Sequence, residues 1–108
     1  MKSIGLLGST GSIGVQTLQV IDTFPGEYNI KYITANKNVK LLAEQALKYN
    51  PDTVCIVQEN FSEELEVLLK NTDITITSGR NALLELAGRN DVDLVMNGLV
   101  GAFGMEPT

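Results

Sequence analysis

The chain has 108 residues, 44% hydrophobic and 19% charged, which suits one globular domain with a single modest core. A net charge of −5 and a pI near 4.5 argue against general affinity for nucleic acid or anionic membranes. No apolar run approaches the roughly 20 residues needed to cross a bilayer. Met1-Lys2 lead straight into a strand with no room for a signal peptide, so a cytoplasmic location is expected. Histidine is absent, which excludes histidine-based acid–base chemistry and most zinc sites within these residues.

The first apolar run, Ile4-Gly5-Leu6-Leu7, reads as a strand, and Gly14, Leu18 and Ile21 fall on one face of a following helix. Between them stands Gly8-Ser9-Thr10-Gly11-Ser12-Ile13-Gly14. Strand, glycine-rich turn and helix together make the context of a dinucleotide fingerprint. Gly8 permits a tight turn out of the strand, Gly11 lets main-chain N–H groups approach a pyrophosphate, and Gly14 lets the helix pack closely. Thr10 and Ser12 add hydroxyl donors where a helix N-terminus presents unpaired N–H groups. The spacing is G-x-x-G-x-x-G rather than G-x-G-x-x-G. The alternative is an ordinary turn in which Thr10 or Ser12 merely caps the helix. No Gly-Lys-Ser/Thr closes the motif as a P-loop would.

Phe24-Pro25-Gly26 stops the first helix. The second strand, Tyr28 to Thr34, alternates, with Ile30 and Tyr32 on one side and Lys31 and Ile33 on the other. A second helix runs from about Asn38 to Tyr49 and closes at Asn50-Pro51-Asp52. Thr53 to Val57 is a continuous apolar run suited to a parallel strand covered on both faces, and its Cys55 reads as a buried structural thiol. Phe61, Leu65 and Leu68 mark a third helix capped by Asn60 or Ser62, with Glu63, Glu64 and Glu66 on a solvated face. Ile74 to Thr77 alternates as a strand near a sheet edge. A short helix carries Leu83, Leu86 and Ala87 and ends at Gly88, and Asp93 to Asn97 is the fifth strand.

This alternation predicts an α/β, Rossmann-like, doubly wound parallel sheet of about five strands with helices on both faces. The expected strand order is 3-2-1-4-5, with a ligand crevice at the carboxyl ends of strands 1 and 4. The expected core comprises Leu6, Ile21, Ile33, Leu42, Val54, Ile56, Leu65, Leu68, Leu83 and Val95.

An NAD site carries an acidic residue about 20 residues beyond the glycine turn. Counting from Gly14 reaches Thr34, and Tyr28 through Ala43 contains no acidic residue. The turn reads Ala35-Asn36-Lys37-Asn38-Val39-Lys40 instead. Lysine is a point-charge donor to phosphate, and Asn38 can cap the next helix. A 2′-phosphate therefore fits better than a free 2′-hydroxyl; the alternative is that Lys37 and Lys40 are simply exposed.

The fifth strand runs into Asn97-Gly98-Leu99-Val100-Gly101-Ala102-Phe103-Gly104-Met105-Glu106-Pro107-Thr108. Together with the glycine turn, this segment resembles the 1-deoxy-D-xylulose 5-phosphate reductoisomerase family from end to end. Two positions depart from the family pattern. Asn36 stands where glycine is usual, in a turn that could call for left-handed φ, and Gly98 stands where alanine is usual.

The resemblance implies that Thr10, Gly11, Ser12 and Ile13 hold the pyrophosphate of NADPH and that Asn36, Lys37 and Asn38 surround its 2′-phosphate. It also implies isomerisation and reduction of 1-deoxy-D-xylulose 5-phosphate to 2-C-methyl-D-erythritol 4-phosphate, in non-mevalonate isoprenoid biosynthesis. A divalent cation, Mg²⁺ or Mn²⁺, and the sugar phosphate would be bound by residues beyond Thr108, in a homodimeric enzyme. No catalytic or metal-ligating residue is expected in residues 1–108. Pro107-Thr108 reads as the opening of another helix, so the chain is expected to be the N-terminal NADPH-binding domain of a longer enzyme, inactive alone. The alternatives are a semialdehyde dehydrogenase or dihydrodipicolinate reductase type, or a nucleotide-binding module without chemistry.

Overall fold

The computed structural model describes residues 2–98. Residues 99–108, including Pro107-Thr108 and the expected start of another helix, lie outside the described residues. Strands and helices alternate: β1 (Lys2–Leu7), α1 (Ser12–Asp22), β2 (Tyr28–Ala35), α2 (Val39–Tyr49), β3 (Thr53–Ile56), α3 (Ser62–Leu68), β4 (Thr75–Ser78), α4 (Arg80–Ala87) and β5 (Leu94–Asn97). A 3-10 turn, Glu59–Phe61, leads into α3, and neither Asn60 nor Ser62 caps that helix through its side chain.

All strand pairs are parallel, and the sheet order is β4-β3-β2-β1-β5. The expected order 3-2-1-4-5 is therefore corrected: β4 continues outward from β3, and β5 takes the place beside β1. The reason lies in α3. Its Leu65 and Leu69 enter the same apolar cluster as Leu18 of α1 and Leu42 and Ala46 of α2, so all three helices share one face of the sheet. A right-handed crossover on that face carries the chain one step further in the same direction. Of the described helices only α4 lies on the other face, where Leu83 and Leu86 meet Leu7, Tyr32 and Cys55, and it returns the chain to β5. The reversal of strand order falls between β1 and β5, so the crevice expected at strands 1 and 4 belongs there.

Leu6, Ile33, Leu42, Val54, Ile56 and Leu65 are fully buried, each aliphatic side chain contributing roughly 1.5–3 kcal/mol. Three expected core positions differ. Leu68 is 42% exposed because the buried pair on α3 is Leu65 and Leu69, one turn apart. Val95 is 37% exposed on the edge strand β5, and Ile21 is only partly buried.

The alternation of β2 is also corrected. Ile4 pairs with Ile30 but Gly5 pairs with Tyr32, so Lys31 is an extra residue that shifts the pleat. Ile30 and Ile33 consequently share the α1–α3 face, while Tyr32 crosses to the α4 face. The Tyr32 ring occupies the space above Gly5, where a Cβ would stand 2.1 Å from Cζ. Cys55 is fully buried, and burial pushes its thiol pKa up, as suits a structural thiol.

At the amino ends of the strands, Arg89 makes a forked bond to Asp52 (2.9 Å to each carboxylate oxygen) and also pairs with Asp91. Its guanidinium lies 5.7 Å from the centre of the Tyr32 ring. The Arg89 fork holds the Asp52 carboxyl below its ordinary value. A lowered carboxyl pKa contributes stability above the unfolded value and loses it as pH falls through the folded one. Arg89→Met, which keeps the stem over Tyr32, should cost about 1 kcal/mol or less at neutral pH. In urea titrations that difference should shrink as the pH drops below about 3.9 and vanish once Asp52 and Asp91 are protonated in both states. A difference that persists undiminished there would assign Arg89 to packing.

Candidate functional site

The expected site residues occupy two exposed turns at the carboxyl ends of neighbouring strands. Thr10, Gly11, Ser12 and Ile13 form the β1–α1 turn and the first residues of α1, and Asn36, Lys37 and Asn38 form the β2–α2 turn. The structure joins the turns from beneath. Gly8 N–H donates to Thr34 Oγ1 (2.9 Å) and Ser9 N–H to the Thr34 carbonyl (2.8 Å). Ser9 Oγ–H donates to Gln45 Oε1 (2.6 Å), and Gln45 Nε2–H donates back to the Ser9 carbonyl (2.9 Å). Ser9, Thr34 and Gln45 are all buried. Sequence reasoning passed over Ser9 and Gln45 and used Thr34 only to count from. The available signal was Gln45 itself, a polar residue between Leu42 and Ala46 on the apolar face of its helix.

The glycines divide their tasks by geometry. Gly8 has φ of 74°, a left-handed turn that suits glycine. At Gly14 a Cβ would lie 2.2 Å from the Gly8 carbonyl oxygen and 2.6 Å from Ser9 Cα, so this glycine lets α1 sit against the turn. At Gly11 a Cβ would meet only the Gly8 oxygen, at 3.7 Å, and the position opens to solvent.

Gly11 also takes the N-cap position of α1, with no side-chain cap bond. Thr10 and Ser12 therefore do not cap the helix. The main-chain N–H groups of Thr10, Ser12, Ile13 and Gly14 have no hydrogen-bond partner among the described residues; the first helical bond comes from Val15 to the Gly11 carbonyl. Unpaired N–H groups with the positive end of a helix dipole form a receptor for an anion.

The α2 N-terminus contrasts with this. Val39 N–H donates to the Lys37 carbonyl (2.8 Å) and Leu41 N–H to Asn38 Oδ1 (3.4 Å), so Asn38 caps the helix as expected. Asn36 does not adopt positive φ; among the described non-glycine residues only Asn50 does. Its carbonyl accepts Gln58 N–H (2.9 Å), so the turn needs no left-handed residue at 36. Lys37 and Lys40 are exposed beside this turn. Asp52 and Asp93 stand at the opposite, amino ends of β3 and β5, and Asp93 Oδ2 accepts Ser3 N–H (2.8 Å). Among the described residues no three acidic, cysteine or histidine side chains gather as a metal-binding group, and no helix is long and apolar enough to cross a membrane.

The family model for 1-deoxy-D-xylulose 5-phosphate reductoisomerase matches residues 4–108. The chain belongs to that family. The reductoisomerase of Chloroherpeton thalassium is 46% identical over 108 residues, and that of Photorhabdus laumondii is 38% identical over 110. Each alignment covers 100% of this chain and 28% of the relative, so the chain spans little more than a quarter of their length.

Among solved structures, the reductoisomerase from Zymomonas mobilis in complex with NADPH superposes with a TM-score of 0.77 at 34% identity, covering 80% of this chain and 23% of that one. A second, in complex with NADPH, fosmidomycin and magnesium, gives 0.82 at 33% identity over 88% of this chain and 24% of that one. The Rossmann-like fold and the family are thus shared, and the other reductases raised by the glycine turn are set aside.

The division among the glycines is testable. Gly14→Ala forces α1 away from the turn and should destabilise the chain by roughly 1–3 kcal/mol, the usual cost of overpacking. Gly11→Ala, with open space and φ of −76°, should change stability by less than about 0.5 kcal/mol. Thermal melts of the two variants side by side check this, and equal destabilisation would contradict it.

Proposed function

We propose that residues 1–108 are the NADPH-binding domain at the N-terminal end of a 1-deoxy-D-xylulose 5-phosphate reductoisomerase. The observation that carries this reading is the set of main-chain N–H groups at Thr10, Ser12 and Ile13, around the open Gly11, that have no partner among the described residues. They suit the pyrophosphate, whose charge the α1 dipole favours, and the Thr10 and Ser12 hydroxyls, which bond to none of the described residues, can add donors. The N–H groups of α2 are largely taken within the turn, so the 2′-phosphate is held by side chains. Lys37 supplies the charge, with Asn36 and Asn38 beside it.

NADPH supplies the hydride; this chain's task is to bind and orient it at the β1–β5 side of the sheet. The sugar phosphate, a divalent cation such as Mg²⁺ or Mn²⁺, and the residues that hold them belong to the remainder of the enzyme. That enzyme is expected to be a cytoplasmic homodimer serving non-mevalonate isoprenoid synthesis.

Lys37→Ala in the full-length enzyme should weaken NADPH by roughly 1.5–3 kcal/mol, on the order of ten- to a hundredfold, while NADH binding changes little. Titrations with both cofactors check this. Equal losses for both would remove Lys37 from the 2′-phosphate.

The 108-residue chain alone should oxidise no NADPH when given 1-deoxy-D-xylulose 5-phosphate and Mg²⁺ or Mn²⁺. Hydride transfer needs the substrate held within about 3–3.5 Å of the nicotinamide, and the groups that would hold it lie elsewhere. Steady, substrate- and metal-dependent oxidation by the isolated chain, followed by absorbance, would place the catalytic groups within these residues.

A further inference from the structure

Gln45 lies on the apolar side of α2, between Leu42 and Ala46, yet it is only 7% exposed and keeps a polar carboxamide there. Burying an amide is costly unless its atoms are paired, and this one is paired twice to a single residue. Ser9 Oγ–H reaches Oε1 at 2.6 Å and the Ser9 carbonyl receives Nε2–H at 2.9 Å. A carbonyl can only accept, so the second bond fixes which end of the amide faces it. The Ser9 N–H is taken by the Thr34 carbonyl at 2.8 Å. Every polar atom of Ser9 is thus used inside the protein, and none is left for a ligand. The next residues, Thr10 to Ile13, are the reverse: they are half-buried or exposed, and the N–H groups of Thr10, Ser12 and Ile13 have no partner among the described residues.

We propose that Gln45 is a positioning residue for the β1–α1 turn, gripping Ser9 at both its hydroxyl and its carbonyl so that the following N–H groups converge on the cofactor pyrophosphate. The inference rests on the cofactor reading given above. The peptide plane that begins at the Ser9 carbonyl carries the Thr10 N–H. Gln45 Nε2 holds that plane by its oxygen, so the opposite edge, with the N–H, is directed away from the buried network. Gly8 supplies the left-handed φ and Gly14 leaves no Cβ against the turn, which allows the fold but does not choose one orientation. The carboxamide makes that choice. At the other end of the same helix pair, Lys48 Nζ and Tyr49 Oη bond the Asp22 carboxylate at 3.0 and 2.9 Å. That contact keeps α2 alongside α1, so Gln45 grips from an anchored helix.

The test uses the full-length enzyme, with binding measured well below each variant's own melting temperature. Gln45→Met keeps the volume and removes both bonds. It should weaken NADPH about tenfold, the loss expected of one or two buried hydrogen bonds. Binding of adenosine 2′-monophosphate, which carries the 2′-phosphate but no pyrophosphate, should stay within about twofold. Ser9→Ala is the milder variant: it keeps the bond from Gln45 to the carbonyl and should lose about threefold on NADPH with the same contrast.

A purely structural role would lower the melting temperature and leave both affinities unchanged, or weaken both ligands alike. Either result in a folded Gln45→Met or Ser9→Ala protein overturns the proposal. If these variants bind NADPH normally while Lys37→Ala and Gly11→Val lose it, only the role of Gln45 fails. If the unaltered enzyme binds no NADPH, the cofactor reading itself fails, and this inference with it.

Discussion

Buried main chain must find its hydrogen bonds inside the protein, and that constraint governs the turn between β1 and α1. Gly8 and Ser9 are buried where the chain leaves the sheet and no longer has a neighbouring strand to pair with. Thr34 answers with its hydroxyl for Gly8 and its carbonyl for Ser9, at the end of the adjacent strand. Gln45 answers the remaining polar atoms of Ser9 from the helix that follows. Satisfying the buried half of the turn from below leaves its exposed half unsatisfied above. The same few bonds therefore fix the turn to β2 and α2 and give it a face on which N–H groups are available.

The topology determines which side of the sheet that face can serve. With α1, α2 and α3 stacked on one face, the chain walks outward to β4 before α4 brings it back across the other face to β5. The β1–α1 turn thus sits between β2, which supplies its buried bonds, and β5, which borders the strand-order reversal. Gly98, just past β5, comes close to the turn: a Cβ there would stand 3.0 Å from the Gly8 oxygen and 3.1 Å from the Leu7 oxygen. This tight approach suits a glycine at 98, since an added Cβ would press on two carbonyls unless the backbone moved by a few tenths of an ångström.

Strand and helix types were legible because each strand is a short apolar run bounded by Gly, Pro, Asn or Asp, and each longer helix shows its apolar stripe. Strand order was not. It depended on which face α3 chooses, and Leu65 with Leu68 describes nearly the same stripe as Leu65 with Leu69. The alternation of β2 failed for a related reason. Lys31 is a single extra residue, and no feature of Ile-Lys-Tyr-Ile marks a bulge; its partner signal, Gly5 opposite the Tyr32 ring, stands on another strand.

The locations of the two site turns were legible, because glycine spacing and the missing acidic residue are local properties. The clamp beneath them was not, since Thr34 and Gln45 lie 25 and 36 residues beyond Ser9 and meet it only in the folded sheet. Asn36 was misjudged in the other direction. Its departure from glycine suggested a demand for left-handed φ, whereas the turn is held by Gln58 N–H on the Asn36 carbonyl and makes no such demand.

The two helix N-termini at this edge of the sheet bear on how one ligand with two separate phosphate groups could be told apart from its close analogue. The α1 terminus offers main-chain donors whose directions are fixed by the fold, and these act on any pyrophosphate alike. The α2 terminus has spent most of its donors on Lys37 and Asn38, leaving long, exposed side chains to meet an anion. A main-chain receptor cannot distinguish NADPH from NADH, because the pyrophosphate is common to both. A lysine that pairs with no carboxylate among the described residues can, because only one of the two carries a 2′-phosphate. On the proposed reading, affinity resides in the β1–α1 turn and selectivity in the β2–α2 turn, and the buried bonds of Thr34 and Gln45 hold the two at one spacing.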